Sequence, residues 1–559
     1  MRALAFLLLL MSAGAAPAQT YDLLLRNGFD VPAEGPANDA QASRFLTQAS
    51  FGPTLSDIAR LRALGYHTWL DQQLSTPPTR IDAYLLAVQA QGDPLFQNAR
   101  MEGWFRNAVI APDQLRQRVA YAYSQIFVVS DFGGGLENET RGLSRFYDML
   151  ASRAFSSYRG LLEDVTLSPI MGQYLSMRGN RRPNVALNVR PDENYAREIL
   201  QLFSVGLIKL NLDGSPILLN SLPVPTYDQF AVKGFAHVFT GWNFGNCDGF
   251  EFCGAGWPDA VGWRQPMRAF ASFHHVEPDA DADNNVLLDG FVRPNGGTPE
   301  GNMAIALNNI ANHPNVGPFI ARRLIQNLVS SNPSPAYIAR IAAVFNNNGA
   351  GVRGDMAAVV RAILLDSEAR SGHLLAPGTF GKLREPLLRL THYWRAFDAR
   401  SADGKFQYWN PESPFGQGPN RSPSVFNFYL PDYRRPGEIS NLGLYSPEFQ
   451  ITTETFITRT ANEFFAFTER QHLGSGFNCS TCITADFRPF QALAATPANL
   501  VAALNTVLMS GQMSAFMRTT LINHLNTIPN SGGNDTGGRN RTWEAVHLIM
   551  TSPEYVVQK

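Results

Sequence analysis

Beyond its first 18 residues, this sequence has no long run of uncharged apolar residues, and that absence excludes a membrane-spanning helix. A helix needs about 20 such residues to cross a bilayer. Charge of one sign is not in excess either, because 46 Lys and Arg residues stand against 47 Asp and Glu residues. A balanced chain lacks the basic patch that binds nucleic acid or an anionic membrane surface. We therefore expect a soluble mature protein that binds neither.

Three common catalytic signatures are also missing. The sequence contains no G-x-S-x-G nucleophile elbow, no G-x-x-x-x-G-K phosphate-binding loop and no H-E-x-x-H zinc motif. Their absence argues against the commonest serine hydrolases, nucleotide-binding proteins and zinc proteases. Any chemistry must come from a less familiar set of side chains.

The chain has only four cysteines, which fall into two close pairs. Cys247 and Cys253 form the first pair, and Cys479 and Cys482 form the second. In an exported protein such pairs predict two local disulfides, each closing a short loop. A zinc ion bound by all four stays open as an alternative, although the spacing of the first pair differs from that of a zinc knuckle.

The N-terminus has the layout of a secretory signal peptide. Met1-Arg2 is a short positive region, Ala3 to Met11 is an apolar run, and Ala16-Pro17-Ala18 is a cleavage site of the A-x-A type. We expect residues 1–18 to be removed and residues 19–41 to form an irregular leader. The mature protein would then be periplasmic or extracellular.

From residue 42 onward, the sequence is dominated by the apolar periodicity of helices. Leu115, Val119, Ala122 and Ile126, for example, recur at spacings of three and four and fall on one helical face. Strand-like alternation is rare, and 46 Gly and 36 Pro residues indicate many loops. We therefore predict a mainly α protein, in which residues 42–559 form one large multi-helix domain with long loop-rich insertions and few short strands.

Local sequence predicts several details of this fold. Gly65 is expected to end the helix that starts at Ser56. The best strand candidates are Phe127-Val128-Val129 and Val286-Leu287-Leu288. Loop-rich stretches are expected at about 241–300 and at 400–445, and loops of this length are usually functional when they are rich in aromatic residues rather than disordered.

One predicted helix, within residues 190–207, carries an unusual number of charged and polar side chains. Buried charged groups are costly unless they are paired or used in chemistry. The helix is therefore either a structural network of caps and salt bridges or one wall of a site. The set consists of the candidate catalytic residues Asp192, Glu193, Arg197 and Glu198 and the candidate binding residues Asn194 and Gln201.

If this helix belongs to a site, its side chains suit acid–base chemistry. Glu198 or Glu193 would donate a proton with Asp192 as its partner, and Arg197 would bind an anion or orient a carboxylate. Two carboxylates about 5–10 Å apart would suit the cleavage of a glycosidic bond. This hypothesis needs both carboxylates to face an open cleft.

Two further candidates lie in the stretch 241–300. Trp242 is either a core residue or a platform for a sugar, with His275 nearby as a candidate catalytic residue. Asp279, Asp281 and Asp283 have the one-three-five spacing of a calcium loop, but the glycine and glutamate expected later in such a loop are absent. These aspartates form either a solvated acidic turn or a calcium site, and calcium is the one cofactor that the sequence suggests.

A last pair of basic residues precedes a predicted helix. Lys382 and Arg384 would bind an anion, or they would pair with the neighbouring Glu385. Both alternatives stay open from the sequence.

A series of motifs follows in a fixed order along the chain. They are Ser43 to Thr54, Tyr147 to Leu150, Leu162 to Thr166, Asp192 to Gly206, Phe239 to Trp242, His313-Pro314, Lys382 to Pro386 and Arg421 to Tyr429. In sequence and order they resemble the motifs of a bacterial family called domain of unknown function 1800. The resemblance extends from about residue 42 over nearly all of the mature chain.

The resemblance implies export and a single large, mostly helical unit, and it implies no established reaction. Genes of this family often neighbour a second exported family that looks like alkaline phosphatases and sulfatases, which implies a partner of that kind. Two departures matter, because Ser168-Pro169 stands where the family often has His-Pro and His275-Val276 where it often has His-Asp. A mechanism that used either missing residue does not carry over to this chain.

Two functions from different classes follow from these patterns. The protein is either an exported hydrolase or other enzyme acting on an extracellular polymer such as polysaccharide, or a non-catalytic envelope or secretion-associated binding or scaffold protein. A polar helix that faces an open cleft favours the enzyme, and one that is sealed and internally paired favours the binding protein.

Overall fold

Helices predominate in the structure, a computed structural model that describes residues 35–251, 261–276, 285–470, 472–473, 482–530 and 536–559. The first twelve are α1 (Asp39–Ala49), α2 (Leu55–Ser75), α3 (Ile81–Ala90), α4 (Gln97–Ile110), α5 (Gln114–Ser124), α6 (Thr140–Arg153), α7 (Tyr158–Leu167), α8 (Pro169–Tyr174), α9 (Asn194–Gln201), α10 (Gln229–Val238), α11 (Pro299–Asn312) and α12 (Val316–Leu328). The others are α13 (Pro335–Asn346), α14 (Met356–Leu365), α15 (Ser367–Leu375), α16 (Pro386–Ala396), α17 (Glu412–Phe415), α18 (Glu438–Asn441), α19 (Glu454–Arg470), α20 (Arg488–Gln491), α21 (Pro497–Met509), α22 (Ala515–Thr527), α23 (Thr536–Met550) and α24 (Pro553–Val556).

The strands of the described ranges are two residues long and pair only as antiparallel couples. These couples are β1 (Leu218–Leu219) with β2 (Leu222–Pro223), β3 (Trp242–Asn243) with β4 (Arg268–Ala269), β5 (Lys382–Leu383) with β8 (Val557–Gln558), and β6 (His472–Leu473) with β7 (Ile483–Thr484). The β5–β8 couple ties the last residues of the chain to its centre. The prediction of a mainly α fold with few short strands is confirmed.

Local predictions had mixed success. Gly65 interrupts α2 with a left-handed φ of 75°, so the predicted break between two helical segments is confirmed. Both strand predictions are wrong, because residues 127–129 have no regular structure and Val286 makes only an isolated bridge with Val292. Phe127 and Leu287 are buried. The short apolar runs that contain them therefore reflect burial in the core rather than membership of a sheet.

The described part of the stretch 241–300 is loop-rich. It contains β3, β4 and three short 3-10 turns, at Val261–Arg264, Ala271–Phe273 and Leu288–Gly290, before α11 starts at Pro299. Considering only the described residues, no helix is both long and apolar enough to cross a membrane.

Packed aromatic rings join several helices in the core. Trp104 on α4 packs edge-on against Phe51, with ring centroids 5.4 Å apart, and lies 5.7 Å from the ring of Tyr121 on α5. Phe105 packs edge-on against Trp394 on α16 at 5.1 Å. Large rings in such arrangements bury much apolar area and favour one relative placement of their helices. Tyr408 joins this core, with its ring 5.9 Å from that of Phe105 and 5.7 Å from that of Trp394.

His392 on α16 is a buried histidine held in one neutral form. Its Nδ1 accepts a hydrogen bond from Arg384 at 2.8 Å, and its Nε2 donates to the Val507 carbonyl at 3.0 Å. Burial, with the nearby Arg384 guanidinium, lowers the pKa of His392 to about 3. Gly52, with a φ of 126°, approaches the imidazole so closely that a Cβ there would lie 2.5 Å from the His392 ring. Only glycine fits at this point of the Phe51-Gly52-Pro53 motif.

We predict that His392 makes the protein sensitive to acid. Because its pKa lies lower in the folded chain than the ordinary value of 6.5, its contribution to stability is present above pH 6.5 and is lost as the pH falls towards 3. The free energy of unfolding should fall by up to about 1.4 kcal/mol per pH unit in this window. The slope of the unfolding free energy against pH reports how many more protons the unfolded chain binds, and His392→Gln should lower that number by about one. Urea unfolding between pH 4 and 8 measures the slope.

His67 provides the matched control, since its ring is exposed in the folded chain. His67→Gln should leave the slope of the wild type unchanged. If the unfolding free energy of His392→Gln depended on pH as steeply as that of the wild type, the acid sensitivity could not be assigned to His392.

Candidate functional site

The predicted acidic start of the central helix is an exposed turn. The Asp192 carboxylate accepts the backbone N–H of Asn194 at 2.8 Å, and both residues are exposed. Asn180 braces the turn, because its side chain accepts the Asp192 N–H at 2.8 Å and donates to the Asp192 carbonyl at 3.1 Å. Asp192 and Asn194 therefore shape the approach to α9.

Glu193 and Arg197 pair with each other on the same helical face. Arg197 Nη2 lies 2.9 Å from Glu193 Oε2, and Gln229 donates from Nε2 to both oxygens of this carboxylate, at 3.0 and 2.8 Å. The pair is partly open to solvent, with side-chain exposures of 43% for Arg197 and 32% for Glu193. These contacts link α9 to α10. They fit the alternative in which the polar residues form a structural network rather than one wall of a site.

Glu198 points away from this pair into the protein. It is 7% exposed, and its Oε2 has no hydrogen-bond partner among the described residues. Burial raises the pKa of Glu198, and Arg197 offsets part of that rise. Gln201 is half-buried at the end of α9. Because the Glu198 carboxylate is buried and the Glu193 carboxylate is held by Arg197 and Gln229, the geometry gives no support to an open carboxylate pair here.

Trp242 and His275 are core residues. Trp242 is 3% exposed and pairs with Ala269 between β3 and β4, so its ring cannot serve as a sugar platform. His275 is 4% exposed and packs against His237, with ring centroids 4.4 Å apart. Gly241, with a φ of 81°, lies between α10 and Trp242, and a Cβ there would lie 2.8 Å from the backbone nitrogen of His274. The core alternative for Trp242 is therefore the one that the geometry supports.

Lys382 and Arg384 are buried as well, so the geometry favours the alternative in which they pair within the chain over the one in which they bind an external anion. The Lys382 ammonium donates to the carbonyls of Gln326 and Asn327, both at 3.0 Å, and lies 3.1 Å from Glu448. Arg384 donates to His392, as described above, and its guanidinium stacks 4.6 Å from the Tyr555 ring centre. Every one of these partners belongs to the chain itself.

Glu385 is the centre of this internal network. Its carboxylate is fully buried, and its Oε2 accepts hydrogen bonds from the Tyr121 hydroxyl at 2.7 Å and from the amides of Gln125 and Gln417 at 3.1 and 2.9 Å. Its Oε1 lies 3.6 Å from the Lys382 ammonium. One carboxylate thus joins α5, β5 and the loop that follows α17.

The same network fixes the far end of that loop. The Gln125 side-chain oxygen accepts the Asn427 amide at 3.1 Å and the Tyr429 hydroxyl at 2.9 Å. The loop 417–429 is therefore bound to α5 at both ends, and its middle carries Arg421 towards the surface.

Arg421 lies between two carboxylates. Its Nε is 3.2 Å from Asp131 and its Nη1 is 3.3 Å from Glu412. Arg100 forms a second ion pair with Asp131 and donates to the Pro419 carbonyl at 3.0 Å. Asp131 is fully buried, so its charge is compensated by two guanidinium groups rather than by water.

The outer face of Arg421 lines a surface pocket of about 520 Å³, which we call the aromatic pocket. Both α4 and α6 begin at its wall. Its lining residues are Leu95, Phe96, Gln97, Asn98, Glu137, Asn138, Thr140, Trp409 and Arg421. Three large rings at or near the pocket are exposed to solvent, namely Phe96 at 62%, Trp409 at 47% and Phe132 at 59%, the last of which stacks on Arg421.

Trp409 is held rigidly although half of it is exposed. Its indole Nε1 donates to Glu102 Oε1 at 2.8 Å, and the other oxygen of Glu102 accepts the Tyr84 hydroxyl at 2.7 Å. The Trp409 carbonyl also accepts a hydrogen bond from Arg421 at 3.3 Å. A fixed, half-exposed indole beside free polar groups is the arrangement of a ligand platform.

Several predicted residues lie outside the described residues. Asp279, Asp281 and Asp283 are among them, so the calcium hypothesis stays a prediction. Cys253 and Cys479 are also among them, so the two disulfides with Cys247 and Cys482 stay predictions, as does the signal peptide. Within the described ranges, no cluster of three or more His, Cys, Asp or Glu side chains could hold a metal ion.

Trp409 and its support were not foreseen from the sequence. The stretch 400–445 was expected to be functional because of its length and its aromatic residues, and Arg421 opens one of the family motifs. Neither signal indicates that Trp409 contacts Glu102, which lies 307 positions earlier in the chain. Only tertiary contact brings these two residues together.

Fold and site together define a large, mainly α protein with a rigid aromatic pocket on its surface. The chain belongs to the family described as "Protein of unknown function (DUF1800)", whose model matches residues 44–557. Comparison with curated proteins and with solved structures gives no match for this chain. The family resemblance noted in the sequence is thereby confirmed.

We predict that Glu385 is essential for stability. Glu385→Ala should lower the free energy of unfolding by about 3–5 kcal/mol, because it leaves the buried Lys382 with Glu448 alone and removes an acceptor from three donors. Urea unfolding at pH 7 measures the loss. Tyr121→Phe removes two hydrogen bonds of the network, the one donated to Glu385 and the one accepted from Gln417, and should cost about 2 kcal/mol. If Glu385→Ala lost less stability than Tyr121→Phe, Glu385 would not be the centre of the network.

Proposed function

We propose that this protein is an exported, non-catalytic binding protein for an extracellular carbohydrate, which it holds in the aromatic pocket. The observation that supports the proposal most is the half-exposed Trp409, fixed by Glu102 on the wall of the pocket. Export rests on the signal-peptide pattern of residues 1–18.

A rigid indole suits a sugar ring. The faces of pyranose rings carry C–H groups that pack on a flat aromatic surface, while their hydroxyl groups need hydrogen-bond partners around the rim. Because the hydrogen bond to Glu102 fixes the Trp409 ring before any ligand arrives, little conformational freedom is lost on binding. Phe96 offers a second exposed ring at the same pocket.

Polar side chains in the pocket wall offer hydrogen-bond partners to the hydroxyl groups of a sugar. Asn98 and Asn138 line the pocket, and neither side-chain amide has a hydrogen-bond partner among the described residues. The Thr140 hydroxyl also lines the wall. Pockets with an apolar floor and a few convergent polar groups are the usual sites for small ligands.

Binding is favoured over cleavage because Glu102 and Asp131 are already occupied, so that Glu137 has no second carboxylate available beside it in the described pocket wall. Glycosidic cleavage needs an acid and a second carboxylate that both reach the substrate. Both oxygens of Glu102 accept hydrogen bonds from Tyr84 and Trp409, and Asp131 is buried between two arginines. These groups hold the pocket in shape. The hypothesis of an enzyme that acts through Glu193 and Glu198 gains no support from their separate environments.

The proposal predicts that Trp409→Ala abolishes carbohydrate binding. Loss of the platform should weaken binding by about 2 kcal/mol or more, which is about thirtyfold. Trp409→Phe should retain part of the affinity, because a smaller ring remains. Retardation in native gels that contain soluble polysaccharides measures the affinity directly.

Phe516 offers a matched control, because it is an exposed aromatic residue, at 82%, on α22 and outside the pocket. Phe516→Ala should bind like the wild type. The proposal is contradicted if no polysaccharide of a broad panel retards the wild-type protein. It is also contradicted if Trp409→Ala binds as well as Phe516→Ala.

A further inference from the structure

We propose that the aromatic pocket selects uncharged glycans and rejects acidic and sulfated polymers. This inference rests on the proposed function and adds the chemical class of the ligand. It is carried by the charges of the pocket wall and by the hydrogen bonds that the one lining arginine already makes.

Arg421 lines the pocket but has little capacity left for an anion. Its Nε donates to Asp131 at 3.2 Å, its Nη1 to the Trp409 carbonyl and to Glu412 at 3.3 Å each, and its Nη2 to the Gln97 side chain at 2.8 Å. Four of the five N–H groups of a guanidinium are thus in use. A carboxylate or sulfate group on a ligand therefore cannot form the paired, bidentate contact that makes arginine an anion receptor.

Negative charge prevails in the wall. Among the lining residues and the side chains bonded directly to them, the carboxylates of Glu102, Asp131, Glu137 and Glu412 face the guanidinium of Arg421. Arg100, the second partner of Asp131, lies one contact further away. When Arg100 is included, four carboxylates face two guanidinium groups, which leaves two negative charges. Burial raises the pKa of Glu412. If Glu412 is neutral, three carboxylates still outnumber two guanidinium groups.

An anionic polymer would meet this charge at short range. Like charges brought together at a binding surface are penalised, and the penalty is largest at low ionic strength. A neutral sugar avoids the penalty and can use the free amides of Asn98 and Asn138 as well as the Trp409 ring. The pocket is therefore complementary to hydroxyl groups and C–H faces rather than to acidic groups.

Matched pairs of polymers test the inference on the full mature chain. Hydroxyethylcellulose with carboxymethylcellulose, and dextran with dextran sulfate, differ within each pair chiefly in charge. Affinity in native gels should be at least about tenfold higher for the neutral member of any pair that binds, at low salt. Raising the salt to 0.5 M should narrow the difference, because screening weakens the repulsion.

Glu137 allows the charge of the wall to be changed without disturbing the fold, since it is exposed and its carboxylate has no partner among the described residues. Glu137→Lys should raise the ratio of the affinity for a charged polymer to that for its neutral counterpart by about tenfold. Glu137→Gln, a smaller change, should shift affinity in the same direction. Glu300→Lys places the same charge on the exposed start of α11, outside the pocket, and should leave this ratio unchanged.

The outcomes separate this inference from the proposed function. If only neutral polymers retard the wild type, and Glu137→Lys shifts the relative affinity towards the charged polymers, both the proposed function and the inference are supported. Equal or stronger retardation by the charged member overturns the inference and leaves carbohydrate binding intact. Failure of every polymer to retard the wild type overturns the proposed function, and the inference with it.

Discussion

The buried carboxylate of Glu385 is the interaction on which the rest of the site depends. It accepts hydrogen bonds from α5 and from the loop 417–429, and it lies beside the Lys382 ammonium of β5. A buried charge is tolerated only when nearby groups compensate it, so these elements must keep their places together. The Lys-Leu-Arg-Glu-Pro motif is thus a structural centre rather than a binding surface.

The pocket follows from this centre through a short series of contacts. Glu385 and Gln125 fix both ends of the loop 417–429, the loop carries Arg421, and Arg421 braces the Trp409 backbone. Glu102 then fixes the indole from α4. Because these hydrogen bonds hold both the backbone and the ring of Trp409, the indole is fixed although it stands on a loop.

The fold was largely predictable, and the site was not. Helical periodicity and Gly65 identified the helices and the break in α2, because these signals are local. Trp242 and Lys382 have the residue types of binding groups, and sequence alone could not show that both are buried. Trp409 owes its fixed orientation to a contact with the distant Glu102, for which no local pattern exists. The polar segment 190–207 identified the family correctly, and its Arg197–Glu193 pair is structural.

The central claim is that Trp409 is the platform on which a sugar ring binds. A crystal structure of the protein soaked with a neutral oligosaccharide that retards it in gels tests this claim most directly. The account predicts a sugar ring stacked on the exposed face of Trp409 at about 3.5–4 Å, with hydroxyl groups at the Asn98 and Asn138 amides. Clear density for the oligosaccharide elsewhere on the molecule, with the aromatic pocket open and empty, would contradict it.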